Sequence, residues 1–384
     1  MAARFWVGGS GTWDNTSTTN WSATSGGAGG ASAPTTADTV TFDANSGTAA
    51  VVSVAATATT SSCSVNKSDI TLSLTGSPTF TGGFTFASGT LSLGTSTLTV
   101  LVFSSNNTNT RTIAFGTGSI AVTGNGGAVW NTDNSTGLVV TGTPTANLTY
   151  SGSTGTRTFT FGGTAGGTEA NSISVNVSAG SDTVSLYGTG IRDINFTGFS
   201  GTLSATGNRT VYGEVTYSAT MTLAASSSTT TFAATSGVKT ITTNGKTLDF
   251  PLAFNGVGGT FQFADALTQG STRAFTITNG TVRLKAGTTN TVGSFATGAG
   301  TTQRFLQSTV AGSQATITDP SGTNAATYLT VQDIAAAGGA TWNAFAANNN
   351  VDAGNNSGWN FGLTPQYAYE YPIELRSFTE RKRF

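Results

Sequence analysis

The side chains with the greatest chemical potential lie between residues 169 and 214. Glu169, Asp182, Arg192, Asp193, Arg209 and Glu214 make this the densest candidate region of the chain. Carboxylates held in pairs, sometimes beside a basic residue, are what cleavage of a glycosidic bond requires. If the chain winds in coils of about 22 residues, Glu169, Arg192 and Glu214 fall one coil apart and line one wall. Adjacent Glu and Arg on a solvated face more often form a cross-strand ion pair. On that ground no catalytic residue is assigned and no enzyme activity is expected.

Other chemistries are closed by composition. The chain of 384 residues has no His and one Cys. A His-based zinc or iron site and a Ser-His-Asp or Cys-His group are therefore excluded. Cys63 alone cannot make a disulfide scaffold, and its Thr/Ser-rich strand predicts a buried, inert thiol. Gly245-Lys246-Thr247 has the ending of a phosphate-binding loop, but Thr240 stands where the upstream Gly is required. No complete GxGxxG or GxSxG motif occurs. Calcium loops of the EF-hand or Asp-rich nonapeptide type are also missing. No cofactor and no metal are expected. With 16 basic against 17 acidic residues, phosphate-driven binding of nucleic acid is not expected.

The elements that would position these residues follow from the same composition. Charged residues are 9% of the chain, Gly numbers 51 and Phe 23, and Thr is about a fifth of all residues, a bias that favours strands over helices. From residue 46 to 320 short runs alternate polar and apolar, as in Thr71-Leu72-Ser73-Leu74, Phe84-Thr85-Phe86, Thr97-Leu98-Thr99-Val100 and Ile173-Ser174-Val175-Asn176-Val177. Period two buries one face of each strand and wets the other. Asn-Gly dipeptides at 125–126, 244–245, 255–256 and 279–280 serve either as hairpin turns of tandem β-sandwiches or as corners of a parallel β-helix. Short strands, outward Thr and Ser, and a loose repeat favour the second. In that repeat Gly89-Thr90-Leu91-Ser92-Leu93 returns as Gly280-Thr281-Val282-Arg283-Leu284. The predicted fold is all-β, a right-handed parallel β-helix with aromatic caps. It would have on the order of twelve coils in a body roughly 60 Å long, with Phe80, Phe84, Phe86, Phe159 and Phe161 stacked inside.

Both ends differ from this body. Residues 1–45 hold Trp6, Trp13 and Trp21, read as an aromatic cap or, alternatively, as a sugar-stacking platform. Residues 321–363 read as a closing coil and second cap, covering what would otherwise be an open edge. Residues 364–384 then turn abruptly charged and aromatic. Tyr367, Tyr369, Tyr371, Ile373, Leu375, Arg376, Phe378, Arg381, Lys382, Arg383 and Phe384 interleave rings with cations, the makeup of interface anchors. This tail is read as an attachment peptide, a solvated terminus being the alternative. No apolar segment of a secretory signal follows Arg4, and no run of about 18 apolar residues occurs, so neither a secretory signal peptide nor a membrane-spanning helix is expected; the chain is read as made in a host cytoplasm and carried in a virion, with an extracellular or cell-surface location as the alternative.

The terminal motifs carry a resemblance. Trp6-Val7-Gly8-Gly9, Gly11-Thr12-Trp13-Asp14, Asn20-Trp21-Ser22, Pro34, Asp38 and Val40-Thr41-Phe42-Asp43 resemble the opening module of β-solenoid surface proteins, such as autotransporter-adhesin passengers and phage-encoded solenoids. Gly338-Gly339-Ala340-Thr341-Trp342-Asn343 through Gly358-Trp359-Asn360-Phe361 is similar to their closing motif. Together these cover about 80 residues; the middle agrees only in style. The resemblance implies a solenoid. A signal peptide and membrane-barrel translocator, both expected of an autotransporter, are not seen. That points to a structural protein of a tailed bacteriophage virion: a fibre, spike or capsid-decorating appendage. Its partners would be other virion proteins and its own subunits, as a trimer, with a host-surface glycan as a further partner. A bacterial extracellular adhesin or matrix filament, and a polysaccharide-depolymerising tailspike, are the alternatives.

Overall fold

The computed structural model describes residues 1–204 and 206–362; the tail residues named above lie outside them. The alternating runs become strands with the inside-outside pattern their sequence dictates. In Thr97–Val100 and Thr145–Leu148 every second side chain is buried. Each strand pairs in parallel with the strand one coil later, so Leu72 faces Leu91 and Leu91 faces Ile113. The chain is a β-solenoid of about 14 turns with 1% helix. Among the described strands the one antiparallel pairing joins Ala3–Trp6 to Trp21–Ser22. Parallel stacking on this scale excludes tandem sandwiches, whose neighbouring strands would run antiparallel. Turns exceed the twelve estimated because the flanking segments also join the ladder, from Ala3 opposite Thr39 to Val331 opposite Asp352.

The coil is not uniform. Phe84 and Phe103 are successive ladder partners 19 residues apart, whereas Trp130 and Phe159 are 29 apart. The register is kept across these unequal coils, and the segments between paired strands absorb the difference. The Asn-Gly dipeptides at 255–256 and 279–280 sit at stacked corners, where Asn279 Nδ2 donates to Asn255 Oδ1 at 2.7 Å. The loose repeat noted in the sequence marks the same kind of corner. Gly89 and Gly280 have φ of 97° and 85°, a region that L side chains disfavour. A Cβ on Gly89 would lie 2.7 Å from Lys67 O, and one on Gly280 would run into Gly256 O. Gly280→Ala is therefore expected to destabilise by at least about 1–3 kcal/mol, read as a lower urea midpoint; an unchanged midpoint would contradict the corner assignment.

In the first half of the coil the mainly aliphatic core holds a file of rings along the axis. Trp13 stacks on Phe80 at 5.0 Å, Phe80 on Phe84 at 6.1 Å, Phe84 on Phe103 at 6.0 Å, Phe103 on Trp130 at 4.5 Å, and Trp130 on Phe159 at 5.4 Å. Phe86 lies near-parallel to Phe84 at 6.3 Å, and Phe161 is buried but contributes no ring to this file. Trp6, Trp13 and Trp21 are wholly buried; Trp6 and Trp13 pack tilted and Trp21 edge-on against Phe42, and Trp21 also meets the other two edge-on. No ring face of theirs is open, so they are a cap and not a sugar platform. Trp342, Trp359 and Phe361 close the other end against Phe295.

Two acids of the opening motif clamp its turns. Asp14 accepts hydrogen bonds from the backbone and hydroxyls of Ser17 and Thr16, which hold its carboxyl below the ordinary range. At Asp38 burial pushes the carboxyl up. Bonds from Ala2 N, Thr35 Oγ1 and Thr35 N, with the nearby Arg4, outweigh it, and the net direction is down. A depressed carboxyl stabilises fully above its unfolded value, about 3.9, and that contribution is withdrawn as pH falls through the lower folded value. Amide protection across residues 1–42, taken relative to the intrinsic exchange rate at each pH, is thus expected to stay constant from neutral pH to about 4 and to fall below that. A loss of protection that already sets in near neutrality would refute the clamp.

Candidate functional site

The strand Thr183–Asn195 and its successors create a surface groove of about 490 Å³. Its lining includes Glu169, Arg192, Asp193 and Glu214 from the sequence reading, together with Ser172, Tyr212 and Lys239. Four of the six candidate residues are thus brought together. The reason differs from equal one-coil spacing. Asp193 and Glu214 are true ladder neighbours, since Ile194 pairs with Val215 and Glu214 N donates to Asp193 Oδ1 at 2.8 Å. Glu169 comes instead from a loop and reaches Thr235, whose hydroxyl donates to Glu169 Oε2 at 2.6 Å.

The other two candidates are elsewhere. Asp182 is wholly buried and paired with Arg157, Nε to Oδ2 and Nη2 to Oδ1, both 2.7 Å. Arg209 is buried with its guanidinium 4.7 Å from the Phe250 ring centroid. Burial pulls its guanidinium below the ordinary arginine range, an effect that nearby Tyr217 opposes. Arg157 and Arg209 belong, with Arg111 and Arg304, to a set of interior arginines that sequence reasoning missed. Arg111 donates to Ser105 Oγ and O, Asn109 O and Thr136 O, and Arg304 to the carbonyls of Gly298, Gly300 and Thr302. Arg111 and Arg304 thereby satisfy carbonyls that the strand ladder leaves unpaired, whereas Arg209 makes no such bond and rests on the Phe250 ring instead.

The expected Glu–Arg ion pair does not form. Among the described residues the ion pairs are Lys67–Asp69, Arg157–Asp182 and Arg273–Asp249, none of them in the groove. Arg192 Nε points to Ser172 Oγ at 3.3 Å. The Tyr212 hydroxyl, held up by burial and then by the Glu169 charge, stays protonated beside it. Asp193 spends its second oxygen on Ser174 Oγ at 2.7 Å. Of the three carboxylates, Glu214 is the one whose side chain makes no hydrogen bond among the described residues, and it is exposed. The groove therefore offers mixed donors and acceptors for hydroxyl-rich ligands. Two of its three carboxylates are already engaged as acceptors, so a ready acid–base pair is not in place.

The groove does not stand alone. Thr145, Ser174, Asp193 and Glu214 line a second hollow of about 400 Å³ directly beside it. The same row continues through Thr240, which is one step before Ile241, the partner of Val215. Thr240 faces Gln262 and Gln262 faces Arg283. Gln307 and Gln332 follow in register and line a third hollow of about 320 Å³ with Arg283. One outward row, on nine consecutive coils, thus carries all three hollows. This row is not legible in the sequence because the chain length between paired strands varies from coil to coil.

Cys63 is buried, and burial pushes its thiol far above the ordinary cysteine range. It is expected to ignore a thiol reagent in the native state and to react fully in denaturant; native labelling would place it at the surface. Among the described residues no group of three His, Cys, Asp or Glu could hold a metal ion, and no helix is long and apolar enough to cross a membrane. No family model matches the chain, and no curated protein or solved structure is significantly similar to it.

Proposed function

We propose that the chain is a structural protein of a tailed bacteriophage virion, a fibre, spike or capsid-decorating appendage whose work is mechanical. The observation that carries this reading is the unbroken parallel ladder of about 14 turns. Its backbone hydrogen bonds run along the axis and its ends are closed by rings. Such a body resists bending and leaves a protease little loose chain, since cleavage needs local opening. Low charge and a Thr/Ser surface limit unspecific contacts. The opening and closing motifs, which resemble those of phage-encoded solenoids, point the same way, and the tail 364–384 supplies the attachment segment. The experiment is incorporation. Particles purified from a lysate are expected to contain the full chain and to lose it when residues 365–384 are deleted. Absence of the full chain from particles overturns the reading; undiminished incorporation of the shortened chain removes the tail's role.

The groove favours a depolymerising spike as second reading, and the engaged state of Asp193 and Glu169 weighs against it. Incubation with capsular polysaccharides is expected to release no reducing ends. Steady release that is lost in Glu214→Gln would establish the second reading instead.

A further inference from the structure

We infer that the row from Thr145 to Gln332 is a binding track for a linear, neutral polysaccharide of hexose or N-acetylhexosamine units, laid along the solenoid axis. The inference rests on the appendage reading only for where such a glycan is met. Three hollows, of about 490, 400 and 320 Å³, open on this one face, and the row that joins them is built of hydrogen-bonding side chains. It is nine coils long, ~38 Å at about 4.8 Å per coil. That repeat is close to the length of one sugar unit in an extended chain, so successive coils can meet successive units.

The chemistry selects the ligand. Carboxylate, amide and guanidinium groups such as Glu214, Gln262 and Arg283 offer paired acceptors and donors to vicinal hydroxyls. Half-buried Tyr212 and half-exposed Val238 in the central hollow give apolar surface for the C–H face of a sugar ring. A nucleic acid or polyanionic glycan is disfavoured, since Glu169, Asp193 and Glu214 outnumber Arg192 and Lys239 at the centre. An extended peptide is disfavoured as well. The strands behind the row are paired on both sides, as Gln262 is with Thr240 and Arg283, so no edge is open for strand addition. The hollows also lack the large apolar pockets that anchor peptides.

The test uses the full chain on an array of malto-, manno-, galacto-, cello- and chito-oligosaccharides of graded length, with polygalacturonate and heparin as anionic arms. Retention is expected on at least one neutral series, rising with length up to about eight units. Glu214→Ala combined with Gln262→Ala removes two side chains that make no internal hydrogen bond among the described residues. It is expected to weaken binding about tenfold with an unchanged melting temperature. Thr112→Ala, on another face, is expected to bind as the parent chain does. Retention on no neutral series, retention on the anionic arms alone, or equal binding by the double variant would each overturn the inference. Particle incorporation is read separately, so either proposal can fail while the other stands.

Discussion

Arg157→Ala is expected to cost about 3–5 kcal/mol, one of the two largest single-site losses in the molecule. Its guanidinium grips both oxygens of Asp182 at 2.7 Å, and both side chains are completely shielded from water. It also donates to Leu148 O at 3.2 Å and Ala179 O at 3.3 Å. Alanine leaves a buried carboxylate without its cation and two carbonyls without a donor. Removing both charges in Arg157→Met with Asp182→Leu is expected to recover much of the loss, because the desolvation of both ions disappears with them. In a solenoid each coil contacts only its neighbours. The damage is therefore expected to appear as faster amide exchange around residues 146–203, with the distant coils keeping their protection. Uniform loss across the chain, or a single variant within about 1 kcal/mol of the parent, would contradict this account of the pair.

Trp130→Ala is the second. Trp130 lies between Phe103 and Phe159 at centroid distances of 4.5 and 5.4 Å and is fully buried. Its indole N–H donates to Thr132 Oγ1 at 3.1 Å. Truncation leaves a void in the file of rings and is expected to cost about 3–5 kcal/mol. The coils on either side cannot close the gap, because their ladder spacing is fixed by backbone hydrogen bonds. Trp130→Phe keeps most of the stack and is expected to cost markedly less. Urea unfolding followed by tryptophan fluorescence and by far-UV circular dichroism reads both variants. Equal losses in the two would mean that ring stacking contributes little and that the indole hydrogen bond is what matters.

The candidate site was partly legible. Glu169, Arg192, Asp193 and Glu214 were grouped from charge density and an assumed coil length, and they do share a groove. Asp182 and Arg209 were grouped with them for the same reason and are core residues. Nothing local separates Asp182 from Asp193. Asp182 is inside because Arg157, 25 residues earlier, waits in the preceding coil, and that partnership exists only once the coils stack. The continuation of the row through Gln262, Arg283, Gln307 and Gln332 was not seen at all. Those residues look like scattered polar positions until the ladder sets them one above another.

Strand alternation, short strands, the loose glycine-led repeat and the wealth of Thr and Phe were enough to favour a parallel coil with rings inside and hydroxyls outside over tandem sandwiches. Each of these is a local rule, because period-two patterning and positive-φ corners act within a few residues. Which outward residues become neighbours was decided by the tertiary structure alone. Ladder partners are 19 residues apart at Phe84–Phe103 and 29 apart at Trp130–Phe159. Register between coils is set by how much chain each corner loops out, and that length is fixed only when one coil packs on the next.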